Sequence, residues 1–209
     1  MFWTTVDSPI DPLLLIGDET GLRELQIAHL VSVPFENIDV FRRTGVTTDL
    51  DWSLPKVVDR RRGGWCFELN GAFGWLLGEL GYTVDYVSCQ VFGGEEWGPP
   101  LDHCALVVHA DGERWFVDVG FGDCCMVPVP MVDGEHDAVP RDVRFTIDSD
   151  GFRMEERDLD GTWNNRLQGT FEPRSLADFT PRKTPVLDNV FPARYDVDHQ
   201  EAGLCGVAG

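Results

Sequence analysis

The chain has 209 residues, of which 43% are hydrophobic, so it is long and apolar enough for one large domain or two small ones. Its formal net charge of −19 argues against nucleic acids and anionic membrane surfaces, because the phosphates of such partners require clustered Lys and Arg. We therefore expect neither a nucleic-acid nor a membrane partner, and the composition leaves the oligomeric state open.

The cysteines and the first residues indicate the compartment. The six cysteines show neither a CxxC pair nor a zinc spacing, and Cys124 and Cys125 are adjacent. The sequence begins without the basic and apolar regions of a secretory signal peptide. No apolar run approaches the length that spans a membrane. We therefore expect free thiols in a reducing cytoplasm, and no bound metal.

The first third of the chain predicts helices. Residues 1–16 contain two prolines and are interpreted as a lead-in segment. A broad apolar face then predicts a helix from Gly21 to Ser32, which Pro34 ends. A second short helix is predicted from Leu54 to about Arg61. These segments together predict an N-terminal helical bundle.

The stretch Arg60–Asn70 (RRRGGWCFELN) places a Gly-Gly turn directly before a helical pattern. Apolar side chains recur at steps of three and four from Cys66 to Leu80, and Gly81 marks the end of the helix. Cys66 is therefore predicted in the first helical turn, where the helix dipole and unpaired amide N–H groups favour a thiolate. Two interpretations stay open: a nucleophile, or a buried structural cysteine.

After Gly81 the pattern changes to strands. β-Branched and aromatic residues predict a strand at residues 83–92, and two further runs, 102–109 and 113–121, are joined by a hairpin at Ala110–Gly112. More strands are predicted at 143–147, 152–157 and 163–171. The predicted fold is therefore α+β, with the helical bundle packed against an antiparallel β-barrel or sheet.

Of the five histidines, His103 is the one that the hairpin positions. With a loop of Ala110–Asp111, His103 lies opposite Asp118, whereas with Asp111–Gly112 it lies diagonal to Asp118, which then faces Ala105. Both registers place His103 and Asp118 on one face, and a three-residue loop or a bulge would separate them. Since a bare carboxylate in an apolar strand is costly, a histidine partner for Asp118 is expected. Such a pair serves either catalysis or the stability of the sheet.

Four blocks of the sequence resemble the signature of the arylamine N-acetyltransferase family. They are Val33–Asn37 (VPFEN), Arg62–Asn70 (RGGWCFELN), His103, and Asp118–Gly122 (DVGFG), in family order. The resemblance covers roughly residues 22–192 and implies a cysteine-protease-like catalytic core. In that core Cys66, His103 and Asp118 would form a catalytic triad.

The resemblance implies a ping-pong acyl transfer. Cys66 would take an acetyl group from acetyl-CoA and pass it to the nitrogen of an arylamine or hydrazine. His103 would pair with Cys66 and move protons in both half-reactions, while Asp118 would orient the imidazole. The implied partners are a small-molecule amine and an acyl-CoA, or an acyl carrier protein.

The resemblance also implies roles for residues around the triad. Phe35 corresponds to a position in the acceptor pocket, although plain core packing is an equal alternative. The implied sets are the acceptor pocket (Phe35, Val91, Phe92, Phe121), the loop near the CoA phosphates (Gly120, Gly122), and a structural polar cluster beneath the nucleophile (Arg62, Glu36, Asn37).

The sequence departs from the family after Pro192, where members usually carry a third region that covers the site. We therefore predict a helical domain at residues 1–82, a β-domain at 83–192, a tail at 193–209, and a shortened or missing C-terminal lid. This departure keeps open an amide synthase, which releases a polyketide chain from a carrier-protein thioester onto an amine and forms a macrolactam. A hydrolase with the same triad and a non-catalytic module that retains the triad also stay open.

Overall fold

The computed structural model describes residues 3–6, 13–16, 18–42 and 47–179. The predicted tail at 193–209 lies outside these residues, as does the part of the predicted β-domain beyond residue 179. Helices from the first half of the chain pack against one antiparallel sheet, which confirms the predicted α+β class. The division between residues 82 and 83 stays a prediction.

Within the described residues, four α-helices lie before the main sheet: α1 Glu19–Ser32, α2 Ile38–Arg42, α3 Leu50–Leu54 and α4 Cys66–Glu79. α1 begins where Asp18 accepts a hydrogen bond from the Gly21 N–H at 3.0 Å. The helix predicted at 54–61 starts earlier, as α3, and continues as a π-helical turn, Pro55–Asp59. Pro55 has no N–H for the regular helical ladder, and the chain continues there in a wider turn.

The lead-in segment holds two short antiparallel strands, β1 Trp3–Val6 and β2 Leu13–Ile16, which the sequence analysis did not predict. The main sheet has eight strands in the order β6-β5-β4-β3-β10-β9-β8-β7. Their bounds are β3 Thr83–Val91, β4 His103–Ala110, β5 Glu113–Val117, β6 Val129–Pro130, β7 Gly134–His136, β8 Val143–Ile147, β9 Gly151–Arg157 and β10 Trp163–Arg174. A short 3₁₀ helix follows at Leu176–Phe179.

The β4–β5 hairpin has the two-residue loop Asp111–Gly112, because Ala110 pairs with Glu113. Both loop residues have positive φ, 53° and 82°, as a tight hairpin turn requires. Continuing this register places Asp118 opposite Ala105, the second of the two predicted arrangements. The run predicted to reach residue 121 ends at Val117, since the chain leaves the sheet there to form the loop that carries Asp118.

Apolar side chains cover both faces of β4, which explains its nearly continuous hydrophobic sequence. On one face Leu106 and Val108 pack with Phe73 and Leu77 of α4. On the other face, a second core is formed by buried residues that include Ala105, Val107, Phe116, Phe145, Phe152 and Leu167. α4 is thereby fixed against the strand that begins with His103. None of the helices in the described part of the chain is long and apolar enough to cross a membrane.

Candidate active site

Cys66 is the first residue of α4 and is half-buried. The turn before it is held by two backbone hydrogen bonds to the VPFEN segment, from Glu36 N–H to Gly64 O at 2.8 Å and from Gly64 N–H to Pro34 O at 3.3 Å. A Cβ added at Gly63 would lie 1.9 Å from Pro34 O, so a side chain has no room there. Two motifs that are separate in the sequence thus form one support for the candidate nucleophile.

His103 and Asp118 are in direct contact. The Nε2 atom of His103 lies 2.6 Å from Oδ2 of Asp118, and both side chains are almost fully buried. The Cys66 side chain interacts with the same imidazole and contributes to the rise in its pKa. Because Nε2 faces the carboxylate, Nδ1 is left for the sulfur. The structure therefore brings the three predicted residues together in the order sulfur, imidazole, carboxylate.

The charge state of His103 follows from its surroundings. Burial lowers the pKa of the imidazole, but the charge of Asp118 and the hydrogen bonds with Asp118 and Cys66 outweigh burial and raise it to about 10. At neutral pH the ring is therefore a buried imidazolium beside a carboxylate. A cation in contact with sulfur stabilises a thiolate, which is the nucleophilic form of cysteine.

Asn70 joins the helix to the Asp118 loop, and the sequence analysis gave it no role. Its side-chain N–H groups donate to Asp118 Oδ1 at 2.8 Å and to Cys104 O at 2.7 Å, while its Oδ1 accepts from Val119 N–H at 2.9 Å. Asn70 stands four residues after Cys66, on the same face of α4. The sequence signal that could have indicated this role is a polar amide among the apolar residues of a buried helix.

The predicted polar cluster is larger than expected. Arg62 donates to Glu36 at 2.6 Å, as the pairing of these two residues predicted. Asn37 contributes its main-chain carbonyl to the Phe41 N–H at the start of α2. The other charged members, which the prediction missed, are Asp39, Lys56 and Glu68. We call the set Glu36, Asp39, Lys56, Arg62 and Glu68 the charge cluster.

The residues predicted for the acceptor pocket have different surroundings. Phe121 lies edge-on to the His103 ring, with centroids 5.2 Å apart, and the Arg166 guanidinium lies over the Phe121 ring, 5.1 Å from its centroid. Phe35 forms a parallel bridge with Gly64 and is 40% exposed, so it is not a core residue. Val91 ends β3, and Phe92 packs on Trp97. Phe121 is therefore the member of this set with a described contact to the triad.

A cleft of about 210 Å³ opens beside the triad. It is lined by Leu30, Asp118, Phe121, Gly122, Cys124, Cys125 and Met126. A more open depression of about 370 Å³, lined by Thr48, Asp49, Leu50, Asp51, Leu176 and Ala177, shares no residue with the triad. The smaller cleft is the better candidate for a reactant because it borders Asp118 and Phe121.

The two glycines predicted near CoA differ in environment. A Cβ added at Gly120 would lie 2.7 Å from the Cα of Cys66 and 2.8 Å from Nδ2 of Asn70. Gly120 thus lets the Asp118 loop touch the nucleophile helix. Gly122 has φ of 102° and open space around its Cβ position, so its requirement for glycine is conformational. Among the described residues no cluster of His, Cys, Asp and Glu is arranged to hold a metal ion.

Comparisons with known proteins agree on one family. A family model described as N-acetyltransferase matches residues 19–190. The chain is similar to the arylamine N-acetyltransferase of Escherichia coli, with 40% identity over 48% of this chain and 36% of that protein. It is also similar to proansamycin X synthase of Amycolatopsis mediterranei, with 28% identity over 78% of this chain and 66% of that protein.

Solved structures give the same result. The structure of the Mycobacterium marinum arylamine N-acetyltransferase in complex with CoA is similar at a TM-score of 0.72, with 28% identity over 79% of this chain and 64% of that chain. The present chain spans only 36% to 42% of the length of three curated relatives that it matches.

Proposed function

The chain belongs to the arylamine N-acetyltransferase family, and on that premise we propose that it transfers an acetyl group from acetyl-CoA through a Cys66 thioester to the nitrogen of an arylamine or hydrazine. The observation that carries this proposal is the series of Cys66, His103 and Asp118, in which the buried His103 contacts Asp118 at 2.6 Å and interacts with the half-buried Cys66. A thiolate with a protonated imidazole beside it is suited to attack a thioester and to protonate what leaves.

In the first half-reaction the Cys66 thiolate attacks the carbonyl carbon of the donor thioester. The bond from that carbon to the CoA sulfur breaks, CoA takes the His103 proton and leaves as a thiol, and Cys66 holds the acetyl group. In the second half-reaction the amine nitrogen attacks the Cys66 thioester and His103 accepts a proton from the nitrogen. The products are an amide and the free Cys66 thiolate beside the imidazolium. Asp118 keeps Nε2 of His103 occupied, so Nδ1 faces the reacting atoms.

Several features support the nature of the reactants. The M. marinum relative binds CoA, and the E. coli relative is named for transfer to arylamines. Phe121 borders the cleft and packs against His103, so an aromatic acceptor ring would meet an aromatic wall there. We place the reaction in the cytoplasm, since the five cysteines of the described residues are free.

A second candidate is favoured by one comparison. The similarity to proansamycin X synthase extends over 66% of that protein, at 28% identity. On this reading Cys66 would accept a long acyl chain from a carrier-protein thioester, and an amine of the same chain would close the ring. The triad chemistry is the same, and only the donor and the acceptor differ.

A panel of thioesters tests these proposals. The protein is incubated with acetyl-CoA and, separately, with long-chain acyl carrier-protein and N-acetylcysteamine thioesters, and Cys66 is examined by intact mass and peptide mass spectrometry. An acetyl adduct that an arylamine discharges supports arylamine acetylation. An adduct from the carrier-type donors alone supports the synthase. An adduct that water discharges as fast as the amine supports a hydrolase. Cys66→Ala is the control for labelling of other cysteines, and no adduct from any donor overturns the proposed function.

A further inference from the structure

Lys56 has an unusual place for a lysine. Of the 17 basic residues in the sequence, only Lys56 and Lys183 are lysines. The Lys56 side chain is 1% exposed, and its ammonium lies 2.7 Å from Glu68 Oε2, 2.8 Å from Asp39 Oδ2 and 3.4 Å from Glu36 Oε1. A compact ammonium has three donors for such a set of carboxylates, whereas a planar guanidinium does not fit one point between them.

Glu68 connects this lysine to the nucleophile. It is the third residue of α4, two after Cys66, and its carboxylate accepts from Trp65 N–H at 3.3 Å and from the Trp52 indole at 2.9 Å. Trp65 is the residue directly before Cys66, so the carboxylate fixes the backbone on which the sulfur stands. A Cβ added at Gly64 would lie 2.8 Å from the same carboxylate, so the glycine makes room for it.

The charge of this carboxylate has a cost for the nucleophile. An acid at a helix N-terminus stabilises the helix. The same negative charge, in a buried region of low dielectric constant, opposes a second negative charge on Cys66. The charge cluster has three carboxylates and two cations, a formal charge of −1, and without Lys56 this becomes −2. Lys56 therefore decides how much negative charge lies beneath Cys66.

We propose that Lys56 is a positioning residue for the nucleophile: its ammonium holds the Glu68 carboxylate as the cap of α4 and cancels the charge that this carboxylate would otherwise present to the Cys66 thiolate. The inference rests on the proposed function only in taking Cys66 as the nucleophile. Other titratable groups that face Cys66 are His103 and Cys104 of β4 and, through His103, Asp118 of the loop after β5. Lys56 acts through its contact with Glu68 in the first turn of α4.

The test uses four variants of the whole chain: Lys56→Gln, Glu68→Gln, the double variant, and Arg157→Gln. Arg157 is a half-exposed residue of β9, and its replacement removes one positive charge from the sheet as a matched control. The rate at which iodoacetamide alkylates Cys66 is followed against pH by peptide mass spectrometry. Circular dichroism and thermal unfolding report on the fold of each variant.

Opposite shifts are the expected result. Lys56→Gln should move the midpoint of the alkylation profile to higher pH and slow the reaction at pH 7 by about 3-fold or more. Glu68→Gln should move it to lower pH, since a glutamine still caps the helix but carries no charge. The double variant restores the formal charge of −1 and should lie near the native profile, and Arg157→Gln should leave the profile unchanged.

Shifts of both single variants in one direction, or unchanged midpoints in folded protein, overturn the proposal and leave the lysine a purely structural residue. If Lys56→Gln does not fold, Glu68→Gln alone tests the proposal, because the midpoint of its alkylation profile must then move to lower pH. Alkylation needs no acyl donor. A native protein that no thioester acylates therefore overturns the proposed function, while the opposite shifts would still establish the role of Lys56.

Discussion

The side-chain amide of Asn70 donates a 2.8 Å hydrogen bond to Oδ1 of Asp118, a residue 48 positions later in the chain. The Gly120 N–H donates to the same oxygen at 2.8 Å, which leaves Oδ2 for His103. The carboxylate is thus held by three donors, of which one belongs to the helix that carries Cys66. The orientation of the imidazole therefore depends on a residue of the nucleophile's own helix.

Asn70→Leu should reduce both stability and acylation. The change keeps the size of the side chain but removes the donor to Asp118 and leaves Val119 N–H and Cys104 O without this partner. Since an orphaned buried polar group costs about 1–3 kcal/mol, we expect the free energy of unfolding to fall by about 2 kcal/mol or more. Acylation of Cys66 in the remaining folded protein should slow by about 10-fold.

Chemical denaturation and single-turnover mass spectrometry measure these two effects. Gln168→Leu is the matched control, because it removes an amide hydrogen bond to Gln90 on the sheet, 3.0 Å long, and should leave acylation unchanged. Acylation at the native rate in folded Asn70→Leu protein would show that Asp118 keeps its place without the amide.

His103→Ala should slow alkylation of Cys66 by iodoacetamide near neutral pH by about 10-fold or more, because the cation that stabilises the thiolate is removed. The imidazole, with its pKa of about 10, remains charged through the neutral range in the native protein. The folded-state pKa of His103 lies above its unfolded value. The contact between His103 and Asp118 therefore contributes fully to the free energy of unfolding below about pH 6.5, and this contribution is lost as the pH rises toward 10.

His109, which lies on the same strand as His103, provides the control for the alkylation experiment. His109 also contacts an aspartate, with Nε2 2.9 Å from Oδ2 of Asp85, but this pair is exposed. His109→Ala should leave the alkylation profile unchanged. An identical rate-versus-pH curve for native and His103→Ala protein would contradict a Cys66–His103 ion pair.

Gly120→Ala should separate the Asp118 loop from α4. The new methyl group would lie 2.7 Å from the Cα of Cys66, and backbone atoms have little freedom to move away. We expect about 1–3 kcal/mol of destabilisation and slower acylation, measured by thermal unfolding and by adduct formation. Gly78→Ala in α4 is the opposite case, with open space at the Cβ position, and should be neutral or stabilising by about 0.4–1 kcal/mol. Equal behaviour of the two variants would show that the loop contact is not tight in solution.

His29 should make stability depend on pH. Burial lowers the pKa of this α1 residue to about 4, and its ring packs edge-on against Phe73, with centroids 5.1 Å apart. In the unfolded chain His29 is therefore protonated below about pH 6.5, whereas in the folded chain it is protonated only below about pH 4. The free energy of unfolding therefore falls as the pH falls from about 6.5 to about 4. The loss is up to about 3 kcal/mol.

Urea denaturation of the native protein and of His29→Leu between pH 4 and pH 7 measures this contribution. The variant should lose less stability on acidification than the native protein. Parallel stability curves for the two proteins would assign the acid sensitivity to other groups.

Local patterns in the sequence determined much of this protein. The Gly-Gly turn before apolar residues at helical spacing predicted that Cys66 begins a helix, and α4 starts at that residue. The short loop between two apolar runs predicted that His103 and Asp118 share a face, and their side chains lie 2.6 Å apart. Both inferences rest on steps of a few residues, where backbone geometry alone relates one side chain to the next.

Tertiary structure decided the rest. The sequence could not choose between the two hairpin registers, and it did not indicate that Lys56 lies buried between Asp39 and Glu68. It gave Asn70 no partner, because the partner stands 48 residues away across the helix–sheet interface. Contacts of this kind depend on how α4 packs against β4, and that packing follows from the burial of two whole faces and not from the spacing of any one motif.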